Sequence, residues 1–387
     1  MIWTVLKWAL LIAPVLPFCY YLLAIYSARR FFRAAPPRNT DFTPPVSILK
    51  AVRGLDPDAY ENFASFCRLD YPEYEIVFCV ADEVDPAIPV IEKLKQDFPL
   101  RAIRLLIGME TIGANAKVNK LARLAREARH ELLVMSDSDI VVASDYLRAV
   151  VAPFRDEQVG AVTCMYRGIT APQIWPEMEA IGATSDFFAA VIVARQLRDV
   201  DFALGATIAT TKRHLAEIGG FEAFADYLAD DYELGHRIAA RGHRVEMISH
   251  TVQTHYPVEN WSEFFAHQLR WSLAFRASSP AGYAGMTFMQ GLPWAVAGAL
   301  YACAIGNTPL SASYVAAYLV LRFTMGWEVG VRGFKDSLVR RKWWLIPLRD
   351  VAWFVVWLAG FFRNRLLWRG TAFRLRGGRL IPLDPKR

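Results

Sequence analysis

Leu132-Leu133-Val134-Met135-Ser136-Asp137-Ser138-Asp139 is the stretch on which the fold turns. Four apolar residues bounded by turn-forming ones read as a short, fully buried strand. The strand runs straight into two carboxylates at i and i+2. Two earlier stretches read the same way: Val46-Ser47-Ile48-Leu49-Lys50 and Glu75-Ile76-Val77-Phe78-Cys79-Val80. Between the strands lie helical patterns, 87–98 and 117–128. Strands alternating with helices predict an α/β domain with a mostly parallel sheet, whose functional groups gather at the carboxyl ends of the strands. That is where the acidic residues fall.

The rest of the chain bounds the setting. Of 387 residues 54% are hydrophobic, yet 21% are charged. Both fit if the apolar excess sits in segments flanking a globular domain. An apolar run at 5–25 is long enough to cross a bilayer, and Arg29, Arg30 and Arg33 follow it. By the positive-inside rule these place the following chain in the cytoplasm. The expected organisation is an anchor at 1–33, a Pro-rich linker at 34–45, a cytoplasmic catalytic domain at 46–278 and a membrane domain at 279–387. The last holds spans at 283–305 and 309–329, a segment at 343–362 that reads equally as a third crossing or a re-entrant helix, and a basic tail. The Lys and Arg excess, net +6, clusters beside these segments and so reads as topology rather than a nucleic-acid-binding face. Five scattered cysteines suggest neither a zinc site nor a disulfide framework.

Four places can carry chemistry. Asp137 and Asp139 can share one hard divalent cation, Mg²⁺ or Mn²⁺, with a substrate's phosphates, although Asp and Ser are also ordinary turn residues. Asp82 follows the second strand, where it is a candidate partner for a base imino group or a helix cap. Asp230-Asp231-Tyr232-Glu233 precedes a helical pattern. One of its carboxylates could act as a general base, its pKa raised by its neighbour, or the group could simply complement a helix dipole. His267-Gln268-Leu269-Arg270-Trp271 precedes an apolar segment: Arg can clamp a diphosphate, Trp offers a flat face, and an interfacial belt uses the same residues. Lys117 and Asn119 add a candidate phosphate contact.

Taken in order, these motifs resemble the lipid-acting glycosyltransferases with a GT-A fold, and most closely the ceramide glucosyltransferase family. Similar stretches are 46–57 (VSILKAVRGLDP), 69–75 (LDYPEYE), 85–88 (DPAI), 229–232 (ADDY) and 368–376 (WRGTAFRLR), so the likeness spans residues 44–379. It implies a UDP-sugar donor, a membrane-lipid acceptor and a divalent metal. Asp82 would contact uracil, and Asp137 with Asp139 would bind metal and diphosphate. Asp231 would be the catalytic base. Arg270 and Trp271 would end a (Q/R)-x-x-R-W motif, with His267 and Trp271 facing the acceptor. Lys50, Arg53, Lys117, Asn119 and Arg270 complete the implied nucleotide-sugar set.

Two departures stand out: His267 replaces Gln or Arg, and Asp139 stands where the eukaryotic ceramide enzymes carry Gly. A related bacterial branch transfers N-acetylglucosamine to hopanoids, and 202–207 (FALGAT) and 191–195 (VIVAR) are as similar to it. The resemblance leaves both acceptors open and implies a multi-pass protein of a bacterial inner membrane. A processive polysaccharide synthase would need more spans to thread its polymer, and a non-enzymatic scaffold would have no use for all the acidic sites together.

Overall fold

The computed structural model describes residues 10–33, 41–368 and 370–383. The chain packs as two compact units. One comprises Ala34–Thr170, Arg198–Pro257 and Arg365–Arg387; the other comprises Met1–Arg33, Ala171–Leu197 and Val258–Asn364. Two stretches inside the expected catalytic segment, 171–197 and 258–278, therefore pack with the apolar helices. The basic tail from Arg365 packs with the sheet.

The first unit is built on eight strands in the order β3-β2-β1-β4-β7-β6-β8-β5. These are β1 (Val46–Ala51), β2 (Tyr74–Val80), β3 (Ala102–Ile107), β4 (Leu132–Met135), β5 (Ile140–Val141), β6 (Val159–Ile169), β7 (Ile208–Thr211) and β8 (Arg244–His255). The first four are all parallel, with Val46 facing both Tyr74 and Leu132, so their carboxyl ends share one edge. β7 enters antiparallel between β4 and β6, and β6 pairs parallel with β8. The expected mostly parallel α/β sheet is the one found. β1, β2 and β4 are almost wholly buried, which is why they read as continuous apolar runs rather than alternating ones. The tail folds into a separate antiparallel meander: β9 (Arg365–Trp368), β10 (Thr371–Arg376) and β11 (Arg379–Pro382). It is tied down by Leu380 N donating to Asp226 O (2.7 Å) and Leu228 N donating to Gly378 O (3.0 Å).

One buried charge locks the strands' amino-terminal side. Glu75 on β2 is 1% exposed and accepts from Ser47 Oγ (2.8 Å), Arg129 N (2.7 Å) and Arg104 Nη1 (3.3 Å). Burial alone would raise its pKa, but these three donors hold it below the ordinary glutamate range. A depressed folded pKa stabilises the fold above the unfolded value, about 4.3, and that stability is lost as pH falls through the folded pKa. Glu75→Gln is therefore expected to lower thermal stability at pH 7, by about 1–3 kcal/mol for the buried donor left without an acceptor. The deficit should shrink in acid, and equal melting of the two proteins at pH 7 would contradict this.

The second unit is helical. Among the described residues three helices are long and apolar enough to cross a membrane: Leu10–Arg33, Ile174–Leu197 and Ser337–Phe362. The first matches the expected anchor, of which residues 5–9 lie outside the described residues, as do residues 34–40 of the linker. The third is the segment that read as either a crossing or a re-entrant helix. The second was not expected, because Glu177, Glu179 and Asp186 break up its apolar pattern. The stretch expected to span at 283–305 is instead broken. A short helix Pro280–Gly285 and a 3₁₀ turn Met286–Met289 precede a helix Gly291–Ala304 of 14 residues, fewer than the roughly 20 a crossing needs. Thr308–Gly326 is a 19-residue helix. It carries Arg322, 1% exposed, whose Nε and Nη2 pair with both oxygens of Asp350 (2.9 and 2.8 Å) while Nη1 donates to Ser185 O (3.0 Å). An ion pair in an apolar bundle is tolerable when it is bidentate and its remaining donors are used.

Candidate active site

β4 delivers Ser136–Asp139 at the shared carboxyl edge, and what lies beneath this turn fixes its shape. Lys50, at the end of β1, is completely buried. Its Nζ donates to Ser136 Oγ (3.1 Å) and to the Asp137 carbonyl (2.8 Å), and it lies 3.5 Å from the centre of the Phe66 ring. Burial pulls its pKa down to about 7, against the opposing pull of Asp139, Asp137 and Asp56. Lys50 thus props the acidic turn from below. Lys50→Met keeps the bulk but strands two acceptors, so kcat/KM is expected to fall about ten-fold or more with the fold retained. Unchanged kinetics would show the prop to be dispensable.

Above the turn a charged cluster forms from three separate segments. Asn115 caps the helix Ala116–Glu127, accepting from Lys117 N (3.0 Å) and Val118 N (3.3 Å). The cap aims Lys117 across the site, where Nζ pairs with Asp137 Oδ1 (2.7 Å) and Asp230 Oδ2 (3.3 Å). Burial works against its charge, but the two carboxylates more than offset this and hold the ammonium protonated well above its usual range. Asp230 and Asp231 open the helix Asp230–Ala240. Asp231 Oδ2 accepts from Gly205 N (2.9 Å) and Oδ1 from Tyr232 N (2.8 Å). Burial and the neighbouring Asp230 push its carboxyl up to about 6. Gly205 is where the acids converge: a Cβ there would lie 3.2 Å from Asp231 Oδ2 and 3.6 Å from Asp137 Oδ2. Lys117, Asp137, Gly205 and Asp230 line one hollow together with Ala51 and Met135.

Asp139 accepts from Thr254 Oγ1 on β8 (2.8 Å). Burial, then Asp137 and Asp56, push its carboxyl up to about 6. Asp56 receives the Ser138 hydroxyl. The two carboxylates of this turn, two residues apart, form with Asp56 a hard oxygen donor set whose repulsion a divalent cation would relieve. The residues present fit Mg²⁺ or Mn²⁺.

The other expected residues are more spread out. Asp82 is exposed beyond β2 and accepts from Val84 N (3.1 Å). Its neighbour Asp85 is buried and takes Gly54 N on both oxygens (3.2 and 3.1 Å), tying the two strand-end loops together. Arg53 is exposed on the first of those loops. Asn119 is turned inward, holding Ile112 N, Gly113 N and Gly113 O, so it shapes a loop rather than an open surface. Asp56, Asn115, Gly205 and Thr254 were not singled out from the sequence. Asn115 alone had a local signal, as an Asn directly before a helical pattern.

The family model for Glycosyl transferase family 21 matches residues 9–381. The chain belongs to that family. This family 21 glycosyltransferase is similar to Ceramide glucosyltransferase 3 of Caenorhabditis elegans, 29% identical over 267 residues covering 66% of this chain and 56% of the relative. Ceramide glucosyltransferase of Gibberella zeae is 32% identical over 148 residues, 35% of this chain and 28% of that one. The matches span about half or less of those relatives' own length. Among solved structures, the mannosyltransferase PcManGT from Pyrobaculum calidifontis, in complex with GDP-Man and Mn²⁺, superposes with a TM-score of 0.55 at 20% identity, covering 90% of this chain and 98% of that one. That likeness bears on the fold, and the GT-A type expected from the sequence is what it supports.

In the family 21 chain the remaining motif lies in the helical unit. His267, Arg270 and Trp271 share the helix Trp261–Ser278. His267 hydrogen-bonds Glu179, and its ring lies 5.6 Å from that of Trp271, which also meets Phe187 at 6.0 Å. These residues belong to the helical unit, and the Lys117–Asp137–Asp230 cluster to the sheet unit.

Proposed function

We propose that this family 21 glycosyltransferase moves glucose from UDP-glucose to the primary hydroxyl of a ceramide at a membrane surface. One observation carries the reading most: Asp137, Lys117, Asp230 and Asp231 converge around the bare Cα of Gly205 at the carboxyl edge of the sheet. In an α/β sheet that edge is where a nucleotide binds. The ceramide glucosyltransferases it resembles supply the sugar and the lipid, and PcManGT, with its bound GDP-Man and Mn²⁺, supplies the precedent for donor and metal.

In this reading Asp137 and Asp139 would hold a divalent metal, which would supply Lewis-acid charge against the diphosphate. Lys117 adds a second positive charge to the same face. Asp231, oriented by Gly205 N and Tyr232 N, accepts the proton of the lipid hydroxyl. The freed oxygen attacks the anomeric carbon as its bond to the phosphate oxygen breaks, and UDP leaves. One displacement inverts the anomeric centre. Asp82 and Arg53 belong to the nucleotide end. A lipid with long tails leaves the bilayer at a cost of about 0.8 kcal/mol per exposed CH₂, so the reaction is placed at the interface. The donor half is tested by calorimetry of the purified protein with UDP-glucose and other UDP-hexoses. Binding that needs Mn²⁺ or Mg²⁺ and vanishes with chelator supports it; equal binding with chelator would refute the metal's role.

A further inference from the structure

The helical unit holds a second buried ion cluster that, unlike Arg322 and Asp350, is left incomplete. Glu179, in the apolar helix Ile174–Leu197, is 1% exposed, and Arg349, in Ser337–Phe362, is 5% exposed. Gln268 joins them: Arg349 Nη2 donates to its Oε1 (2.8 Å), and its Nε2 donates to Glu179 Oε1 (2.9 Å), an oxygen that His267 also engages. Three buried polar atoms then have no partner: Glu179 Oε2, Arg349 Nε and Arg349 Nη1. The guanidinium lies 5.2 Å from the centre of the Trp353 ring. Its Nε faces the bare Cα of Gly182, where a Cβ would overlap it and stand 2.7 Å from both Cζ and Nη2.

Charged atoms are not left open in an apolar bundle without cause, and an ionisable group there points to function. The contrast within the same unit sharpens the point. Arg322 and Asp350 spend Nε, Nη1, Nη2 and both carboxylate oxygens on partners, as a structural pair does. Arg349 and Glu179 do not. The chemistry of the missing partner follows from what is already bound. The Gln268 carboxamide sits between the two charges, its oxygen toward Arg349 and its N–H toward Glu179. The open atoms repeat that demand, two N–H donors on the cation and one acceptor on the carboxylate.

We propose that Glu179 and Arg349 form the recognition site for the acceptor lipid's polar head, taking an amide that offers its carbonyl oxygen to Arg349 and its N–H to Glu179, as the Gln268 carboxamide does. A secondary amide meets both demands, whereas an ester meets only the first. Gly182 is the positioning residue that leaves room for the guanidinium. This rests on the reading of the chain as a lipid glycosyltransferase and adds which part of the lipid is read.

The test uses the full chain in nanodiscs at saturating UDP-glucose, with short-chain ceramide as one acceptor and its ester analogue, in which oxygen replaces the amide N–H, as the other. The native protein should show a KM about ten-fold lower for the amide. Gly182→Ala, whose Cβ would displace the Arg349 guanidinium, and Glu179→Gln should each raise the ceramide KM about ten-fold and bring the two lipids together, with kcat and the KM for UDP-glucose held. Variants that shift both lipids equally would show a merely structural cluster, and variants that change neither would show that buried water alone satisfies these atoms; either result overturns the proposal. If the native protein glucosylates neither lipid, the functional reading fails and the proposal falls with it.

Discussion

Asp231→Asn is expected to lower kcat by about 10²–10⁴-fold, the usual weight of general-base help, with little change in affinity for the nucleotide sugar. The substitution keeps the side chain's shape. The amide oxygen can still accept from Gly205 N or Tyr232 N, so the turn at the start of the helix Asp230–Ala240 should persist. What goes is the lone pair that takes the lipid's proton. Steady-state kinetics with the lipid acceptor, beside a thermal melt, separates the two effects. A variant that melts normally and turns over at near-native rates would mean that the base lies elsewhere, with Asp230 the first alternative to examine.

The second large effect is expected at Asp137. It is the residue where the expected metal, the diphosphate and Lys117 meet, and its Oδ1 is 2.7 Å from Lys117 Nζ. Asp137→Asn removes a hard ligand and releases Lys117 from half of its pairing. We expect kcat/KM to fall by on the order of 10²-fold or more, with the Mn²⁺ concentration for half-maximal activity rising about 10–100-fold. Metal titrations of the native and variant proteins read this directly. An unchanged metal requirement would leave Asp139, with Asp56 and Thr254 around it, as the residue that matters.

How much of this was legible in the chain differs from residue to residue. Leu132–Met135 announced itself as a buried strand because both of its faces are covered, and a carboxylate pair directly after such a strand has few other places to be. The parallel β1, β2 and β4 followed from the same apolar runs. The pairing of β6 with β8 and the antiparallel entry of β7 did not, because their partners lie far along the chain and no local pattern encodes them. The same distance hid Asp56, 82 residues from Ser138, and Thr254, 115 residues from Asp139. Lys50 entered the nucleotide-sugar set only through the family resemblance; its full burial beneath the acidic turn, against Phe66 and Ser136, has no local signal. Gly205 is legible only once Asp231 and Asp137 are seen to approach it. The helix Ile174–Leu197 was masked by its own acids, since Glu179 and Asp186 lower the hydropathy that would otherwise mark a crossing, although Glu179 is buried against Gln268 and His267.

The most direct measurement is the mass of the lipid made by the purified chain in nanodiscs supplied with UDP-sugars, Mn²⁺, ceramide and a hydroxylated hopanoid. The account predicts one glucosylated ceramide that disappears on chelation and in Asp231→Asn. An N-acetylhexosaminyl hopanoid in its place would contradict the proposed sugar and acceptor while leaving the site intact. UDP release with no glycolipid of either kind would contradict the central claim that this site serves a lipid.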